Sequence, residues 1–167
     1  MRLLKMMTGA TLALAGCAAP QREAAPHPAG SPPAQIRSVT YATTPCHGFC
    51  PVYSVTIGAD GAGVFTGTRN TAVSGERRFT ATARQVTDFF ARLHPYLPVG
   101  ERLLTGPETC KTYASDLSSA DVTWSGAGGN GHLVYDYGCD RGGNQALAEA
   151  LRGAPQALPI ADLIGKR

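Results

Sequence analysis

The stretch TPCHGFCPVYSVTIGADGAGVFTG, residues 44–67, carries the strongest fold signal in the 167-residue chain. It opens with two cysteines, Cys46 and Cys50, which three residues separate. Apolar side chains then occupy alternate positions, namely Tyr53, Val55 and Ile57. This alternation is typical of a half-buried strand, and the pair Asp60-Gly61 that follows is a strong hairpin signal. The stretch therefore predicts a β-hairpin directly after a cysteine loop.

Four further segments are predicted as strands: IRSVTY (36–41), RRFTA (77–81), VTWS (122–125) and HLVYDY (132–137). Segment 97–119 is predicted as loop-rich. Gly126, Gly128 and Gly131 between the last two strands spell G-x-G-x-x-G. A dinucleotide-binding fingerprint must open a helix, whereas a strand is predicted here, so these glycines indicate a hairpin connection.

An amphipathic helix is predicted after Thr82, because Thr82 and Gln85 have the spacing of a capping box. Its apolar residues recur at helical spacing, at Val86, Phe89, Phe90, Leu93 and Leu97. Pro95 limits the helix, so Leu97 is expected at or beyond its end. One apolar face with two phenylalanines must pack on a sheet.

A short last helix is predicted from Asn144, as its cap, through Arg152, with Gly153 as the stop. Leu147 and Leu151 share one face of it. The element order of strands, helix, strands, helix predicts an α+β fold. We expect a largely antiparallel sheet with two hairpin regions, packed against one main amphipathic helix and a short C-terminal helix.

The N-terminus has the pattern of an export signal, with Arg2 and Lys5 before a short apolar run. Leu14-Ala15-Gly16-Cys17 resembles the lipobox of bacterial lipoproteins, which implies cleavage before Cys17 and acylation of that cysteine. Residues 1–16 are therefore predicted as a lipoprotein signal peptide. Residues 17–35 are predicted as the acylated cysteine and a tether, because five prolines and six alanines there leave nothing large and apolar to bury. Residues 36–167 are predicted as one α+β domain.

Charge excludes nucleic acid as a partner. The formal net charge of the chain is +3, and residues 1–16 contribute two of those charges, so the mature protein carries +1. A nearly neutral domain has no electrostatic footprint for a phosphate backbone.

Four cysteines remain after Cys17, and an even number in an exported protein favours two disulfides. Three pairings are possible, and we favour Cys46 with Cys50 and Cys110 with Cys139. Loop-closure entropy gives the short bridge about 2 kcal/mol and the long one about 3.5 kcal/mol.

The alternative is that Cys46, His47 and Cys50 form a thiol-redox or metal-binding loop. Thioredoxin-type pairs have two intervening residues and a following helix, whereas Pro51 and a strand follow here. Zinc or copper(I) would accept these ligands, but a fourth ligand is not evident.

Other polar residues have simpler explanations. Asp136, Asp140 and Asn144 lack the dense spacing of a calcium loop, so they are expected in turns and caps. The histidines are expected at the surface, in the tether or hydrogen-bonded in the core: His27, His94 and His132. No G-x-S-x-G elbow is present. We therefore expect no catalytic residue, no resident metal and no cofactor, unless a cleft gathers the polar residues Tyr113, Asp116, Asp136 and His132.

The opening stretch resembles the start of a bacterial domain family of unknown function, whose members show Thr-Pro-Cys-Phe-Gly-x-Cys-Pro-x-Tyr before an Asp-Gly hairpin. The matching residues are Thr44, Pro45, Cys46, Gly48, Cys50, Pro51, Tyr53, Asp60 and Gly61, while His47 replaces the phenylalanine. The resemblance extends over 36–152 and implies an exported or lipid-anchored domain without an assigned activity. Members often lack the other two cysteines, which supports the local pairing of Cys46 with Cys50.

Together these features predict a lipoprotein of the cell envelope that binds the bilayer through acylated Cys17. Ala18 is not the aspartate that typically retains lipoproteins in the inner membrane, which favours the outer membrane, facing the periplasm. The expected role is non-catalytic, either binding or accessory to the envelope, and a protein of the envelope is a candidate partner.

Cys17→Ala is expected to abolish fatty-acid labelling, because the acyl groups depend on that sulfur and on the amine freed by cleavage before it. Metabolic labelling of wild type and variant, followed by membrane fractionation, checks this. Equal label on both proteins would contradict the lipoprotein assignment.

Overall fold

The computed structural model describes residues 36–165. The described strands are β1 (Ile36–Thr43), β2 (Val52–Gly58), β3 (Ala62–Arg69), β4 (Gly75–Thr80), β5 (Gly100–Leu104), β6 (Ser119–Gly126) and β7 (Gly129–Asp136). The described helices are α1 (Ala83–Leu93), α2 (Gly106–Thr109), α3 (Gln145–Gly153) and α4 (Ala161–Ile164), with 3₁₀ turns at His94–Tyr96 and Ala154–Ala157. The predicted signal peptide, Cys17 and the tether lie outside these residues.

The seven described strands form one sheet in the order β4-β3-β2-β1-β6-β7-β5. Neighbouring strands pair antiparallel, except β5, which pairs parallel with β7. The predicted α+β fold with a largely antiparallel sheet is confirmed, although the strands are more numerous than two hairpins. β1 lies at the centre and joins the meander β1–β4 to the hairpin β6–β7.

The turn between β2 and β3 forms where Asp60-Gly61 predicts it. Asp60 Oδ1 accepts a hydrogen bond from the Ala62 N–H at 3.0 Å. Gly61 has φ +85°, and a Cβ there would meet the Ala81 carbonyl oxygen. Both the positive φ and the close approach of the Ala81 carbonyl therefore require glycine at position 61.

The edge strand β5 corrects the prediction that 97–119 is loop-rich. Its residues Glu101 and Arg102 are exposed, and the segment shows no apolar alternation. The pairing of β5 depends on β7, about thirty residues later in the chain. A short, charged edge strand of this kind carries little local signal.

One face of the sheet is apolar and the other is polar. Side chains at alternate positions of the strands are buried in the core, among them Val39, Tyr41, Val55, Ile57, Phe65, Val122, Leu133 and Tyr135. On the opposite face Thr40 bonds to Thr56 at 2.9 Å, and Ser38 bonds to Ser125 at 2.8 Å. The sheet therefore buries one face and leaves the other to water, as antiparallel sheets commonly do.

Helix α1 is confirmed with its capping box. The Gln85 N–H donates to Thr82 Oγ1, and the Thr82 N–H donates to Gln85 Oε1 at 2.9 Å. Its buried face carries the predicted residues Val86, Phe89, Phe90 and Leu93. The helix ends at Leu93, and Pro95 lies in the 3₁₀ turn that follows, so Leu97 packs against the core from beyond the helix.

Helix α3 is present, but its predicted cap is wrong in detail. Asn144 occupies the N-cap position without a side-chain capping bond, and its Nδ2 donates to the Cys139 carbonyl at 3.3 Å. Gly153 ends α3 with φ −82°, and the chain continues as a 3₁₀ turn. Gly153 therefore does not terminate the helix by adopting a left-handed backbone conformation. No described helix is long and apolar enough to cross a membrane.

Phe89→Ala or Phe90→Ala is expected to lower the free energy of unfolding by about 3 to 5 kcal/mol, because each buried ring would leave a cavity. Both side chains are fully buried. Phe49→Ala is the matched control, since Phe49 is 93% exposed and the same change there should cost less than about 0.5 kcal/mol. Urea denaturation measures all three. Losses below about 1 kcal/mol at both core positions would contradict the packing.

Candidate functional site

The connection between β1 and β2 is closed by a disulfide between Cys46 and Cys50, whose Cα atoms are 5.7 Å apart. Gly48 between them has φ +144°, a conformation that residues with a Cβ rarely adopt. Its N–H donates to the Cys46 carbonyl at 2.9 Å. The glycine thus lets the chain fold back, and residues 46–50 form a closed segment that we name the disulfide loop.

Hydrogen bonds from two sides hold the disulfide loop. The His47 N–H donates to the Asp116 carbonyl at 3.0 Å, and Asn70 Nδ2 donates to the Cys50 carbonyl at 3.1 Å. Asn70 follows β3, whereas Asp116 precedes β6. Because β3 and β6 flank the pair formed by β2 and β1, the loop is fixed on both sides of the strands that it connects.

Phe49 lies in this fixed loop with 93% of its surface exposed. Contact with a ligand would remove that apolar surface from water, which is favourable. The disulfide has already ordered the loop, so less conformational entropy remains to be lost on binding. Phe49 is therefore suited to anchor a ligand.

A cleft of about 900 Å³ opens between the disulfide loop and the segment 160–165, of which Ala161, Ile164 and Gly165 line it. Binding sites for small molecules occupy roughly 300 to 1,000 Å³. Three buried tyrosines contribute to its lining: Tyr41, Tyr53 and Tyr137. Tyr41 and Tyr53 occupy inward positions of β1 and β2, with ring centroids 6.3 Å apart. The strand alternation that builds the core thus also gives the cleft an aromatic floor.

The wall opposite the disulfide loop is the C-terminal segment, residues 160–165. The N–H groups of Ala72 and Val73 donate to the carbonyls of Ile164 and Leu163 at 3.0 and 3.1 Å. These bonds tie the segment to the connection between β3 and β4. Both walls of the cleft are therefore held by backbone hydrogen bonds to the same end of the sheet.

Arg152 from α3 gives the cleft positive charge. Its guanidinium carbon lies 4.3 Å from the ring centroid of Tyr137, a cation–π contact that orients the planar group. The described lining includes Arg152 and His47 as basic side chains, and no aspartate or glutamate. The cleft therefore favours a negatively charged group on its ligand.

The second disulfide joins Cys110 to Cys139, with Cα atoms 5.3 Å apart. These two bridges are the pairing that the sequence favours. Next to the second bridge, Asp140 accepts hydrogen bonds from the Lys111 and Thr112 N–H groups at 3.2 and 2.7 Å. The Thr112 N–H bond is the main reason that the pKa of Asp140 is lowered. Asp140 is therefore an ionised acceptor, and its hydrogen bonds hold the segment that contains Cys110 in place.

Asp136 has a similar structural role. It is buried and accepts hydrogen bonds from the Tyr113 hydroxyl at 3.0 Å and from the Gly138 N–H at 2.7 Å. The bond to Asp136 is the first cause of the raised pKa of Tyr113. Asp136 and Asp140 thus hold turns and loops, in agreement with the predicted turn roles, whereas the predicted side-chain cap by Asn144 is not formed.

His132 lies elsewhere, on the polar face of the sheet. Its Nδ1 is 3.2 Å from Glu101 Oε1 on β5, and its Nε2 is 3.0 Å from Asp121 Oδ1 on β6. The bond to Glu101 is the largest cause of its raised pKa, and Asp121 adds to it against some desolvation. The histidine thus links three neighbouring strands through charge.

The structure does not gather the four polar candidates from the sequence. Tyr113 and Asp136 bond to each other, Asp116 contacts the disulfide loop through its backbone carbonyl, and His132 pairs with carboxylates on the sheet. None of the four belongs to the described lining of the cleft.

The geometry does not support a thiol-redox or metal-binding role for the disulfide loop. Both sulfurs of Cys46 and Cys50 are in the disulfide, so they are not thiolate ligands in this state. A strand follows them, rather than a helix whose N-terminus would stabilise a reactive thiolate. Within residues 36–165 no three His, Cys, Asp or Glu side chains are placed to hold a metal ion.

Three residues of the cleft are not evident as site residues from the sequence: Phe49, Arg152 and Tyr137. Only Phe49 carries a local signal, since a phenylalanine between two disulfide-bonded cysteines has few neighbours to bury it. Arg152 has the sequence features of an ordinary helix residue, and its place in the cleft depends on how α3 packs.

Comparison with known proteins gives one match. The sequence profile of a family described as Domain of unknown function (DUF6438) matches residues 37–157. No curated protein matches the chain, and no solved structure matches it.

The link between His132 and its two carboxylates is expected to make stability depend on pH. A raised pKa means that the stabilisation is fully present below the ordinary value of 6.5 and is lost as the pH rises through the folded-state value. Wild type should therefore exceed His132→Gln in free energy of unfolding by more at pH 6 than at pH 9. Urea denaturation at both pH values measures this.

The control removes the partners of His132 instead. A double variant, Glu101→Gln with Asp121→Asn, should lose the same pH-dependent contribution. A difference between wild type and His132→Gln that stays constant from pH 6 to pH 9 would contradict the assigned charge link.

Proposed function

We propose, for a chain that belongs to the DUF6438 family of domains of unknown function, a role as a membrane-tethered binding module. The family description names no activity, so the proposal starts from the residues of this chain. The observation that carries it is the cleft: a disulfide loop that presents Phe49, an aromatic floor, and Arg152 without a carboxylate beside it. A small disulfide-stabilised, non-catalytic domain is consistent with this role.

The described lining of the cleft offers a nucleophile no base that is oriented by a carboxylate. The Thr43 hydroxyl donates to the Pro51 carbonyl at 2.8 Å. A nucleophile needs a base within hydrogen-bond reach. The described lining contains no carboxylate that could orient His47 as that base. Binding without chemical conversion is therefore the role that the geometry favours.

The tether supports a location in the cell envelope. The lipobox at Cys17 and the proline-rich residues 18–35 would attach the domain to the bilayer, with the periplasmic face of the outer membrane as the proposed site. Extended proline-rich chain covers about 3.1 Å per residue, so this tether could reach roughly 50 Å.

The direction of β1 separates the point where the tether joins the domain from the cleft. The tether joins β1 at Ile36, whereas Thr43, at the other end of that strand, lines the cleft. Eight strand residues separate these ends by about 25 Å. In the proposed arrangement the chain therefore enters the domain at the end opposite the cleft, which leaves the cleft open to a partner in the envelope.

The proposal predicts that small fragments bind in the cleft and that binding needs the closed disulfide loop. Full-length protein in lipid nanodiscs would be treated with a set of neutral, anionic and cationic fragments that carry a diazirine, and labelled peptides would be mapped by mass spectrometry. We expect label on the disulfide loop and on residues 160–165. Cys46→Ser with Cys50→Ser should reduce it strongly, although loss of this short bridge costs only about 2 kcal/mol of stability.

Asn130→Ala is the control, because Asn130 is exposed on the β6–β7 hairpin and does not line the cleft. Its labelling should equal that of wild type. The proposal fails if no fragment labels the cleft, or if opening the disulfide loop leaves the label unchanged. Recovery of a chemically altered fragment would point to an enzyme instead.

A further inference from the structure

We infer that the cleft takes a peptide segment that presents a carboxylate next to an apolar side chain. This inference rests on the proposed function and names the class of ligand for the same cleft. It follows from three features of the lining: an arginine without an ion pair among the described residues, an exposed aromatic ring in the same cleft, and side-chain amides with oxygens that can accept hydrogen bonds.

Arg152 is the carboxylate-binding group in this inference. The described ion pairs are Arg78–Glu76, Arg84–Asp88 and those of His132, so Arg152 forms none within residues 36–165. The guanidinium carbon lies over the Tyr137 ring, 4.3 Å from its centroid. The N–H donors lie in the guanidinium plane, and their fork matches a carboxylate with two parallel hydrogen bonds. A bound carboxylate would therefore supply the counter-charge that the described lining lacks.

Phe49 is the apolar contact. Its ring is exposed at the rim, and the apolar residues Pro51 and Ile164 line the same cleft. An apolar side chain packed there would bury the ring, whereas a small inorganic anion would leave it in water. The combination of Arg152 and Phe49 therefore selects an anion with an apolar neighbour.

Asn70 and Gln156 favour a peptide over a simple anionic amphiphile. Asn70 Nδ2 donates to the Cys50 carbonyl, and Gln156 Nε2 donates to the Arg152 carbonyl at 3.4 Å. No described hydrogen bond uses the two amide oxygens, which can accept from peptide N–H groups. A peptide backbone carries such donors at every residue except proline, whereas an acyl chain carries none. The volume of about 900 Å³ also exceeds what one side chain fills.

The carboxylate could belong to the C-terminus of a partner chain or to an aspartate or glutamate side chain. Four N-acetylated probe peptides distinguish these sources: Ala-Ala-Phe with a free C-terminus, Ala-Ala-Phe amide, Ala-Glu-Phe amide and Ala-Lys-Phe amide. Isothermal titration calorimetry with full-length protein in nanodiscs would measure each Kd. If only the free acid binds, the carboxylate belongs to the C-terminus of a partner chain. If only the glutamate peptide binds, it belongs to an aspartate or glutamate side chain. If both bind, the cleft recognises a carboxylate from either source.

Arg152→Gln should weaken the carboxylate peptides about tenfold or more, the effect expected from loss of a charge-assisted contact. Arg152→Lys keeps the charge without the planar fork and should fall between wild type and Arg152→Gln. Phe49→Ala should also weaken binding. Arg84→Gln is the matched control: it removes the same charge from an exposed residue that does not line the cleft, and its Kd should equal that of wild type.

The inference is overturned if Ala-Ala-Phe amide binds as tightly as the peptides that carry a carboxylate, if the lysine peptide binds best, if none of the four probes binds, or if Arg152→Gln has no effect. In each of these cases the proposed function survives as long as fragments still label the cleft. If fragments fail to label the cleft, the proposed function itself is wrong. The two experiments therefore separate an error in the ligand class from an error in the site.

Discussion

The antiparallel pairing of β1 with both of its neighbours is the interaction on which the rest of the structure depends. β1 pairs with β2 through a short connection and with β6 through residues about eighty positions away. Without the second pairing the meander β1–β4 and the hairpin β6–β7 would be separate units, and an isolated two-stranded hairpin is at best marginally stable in water. The central strand also sets direction, since the chain enters at Ile36 and the cleft lies beyond Thr43.

The two disulfides act on different parts of this arrangement. The bridge between Cys46 and Cys50 closes a separation of 4 residues, so it contributes little loop entropy and mainly fixes the shape of the disulfide loop. The bridge between Cys110 and Cys139 closes 29 residues and ties the segment after α2 to the end of β7. One bridge therefore positions an exposed ring, whereas the other stabilises the segment that leads into β6.

His132 and Arg152 differ in their charged neighbours. On the polar face of the sheet, His132 pairs with the carboxylates of Glu101 and Asp121. In the cleft, the guanidinium of Arg152 lies over the Tyr137 ring, and the described lining contains no carboxylate. Because Arg152 has no ion pair within residues 36–165 and also lines a cleft, its charge is available to a ligand bound there, which is why the cleft carries the proposed binding role.

The sequence by itself determined the features that depend on neighbouring residues. The alternation in β2, the turn at Asp60-Gly61 and the capping box of α1 all follow from contacts within a few positions, and the two favoured disulfide pairings agree with the structure. Only the tertiary structure decided the parallel pairing of β5 and the meeting of Phe49 with Arg152 at one cleft. Both features bring together residues that are far apart in the chain. The spacing of neighbouring residues carries no information about which distant segments pack together.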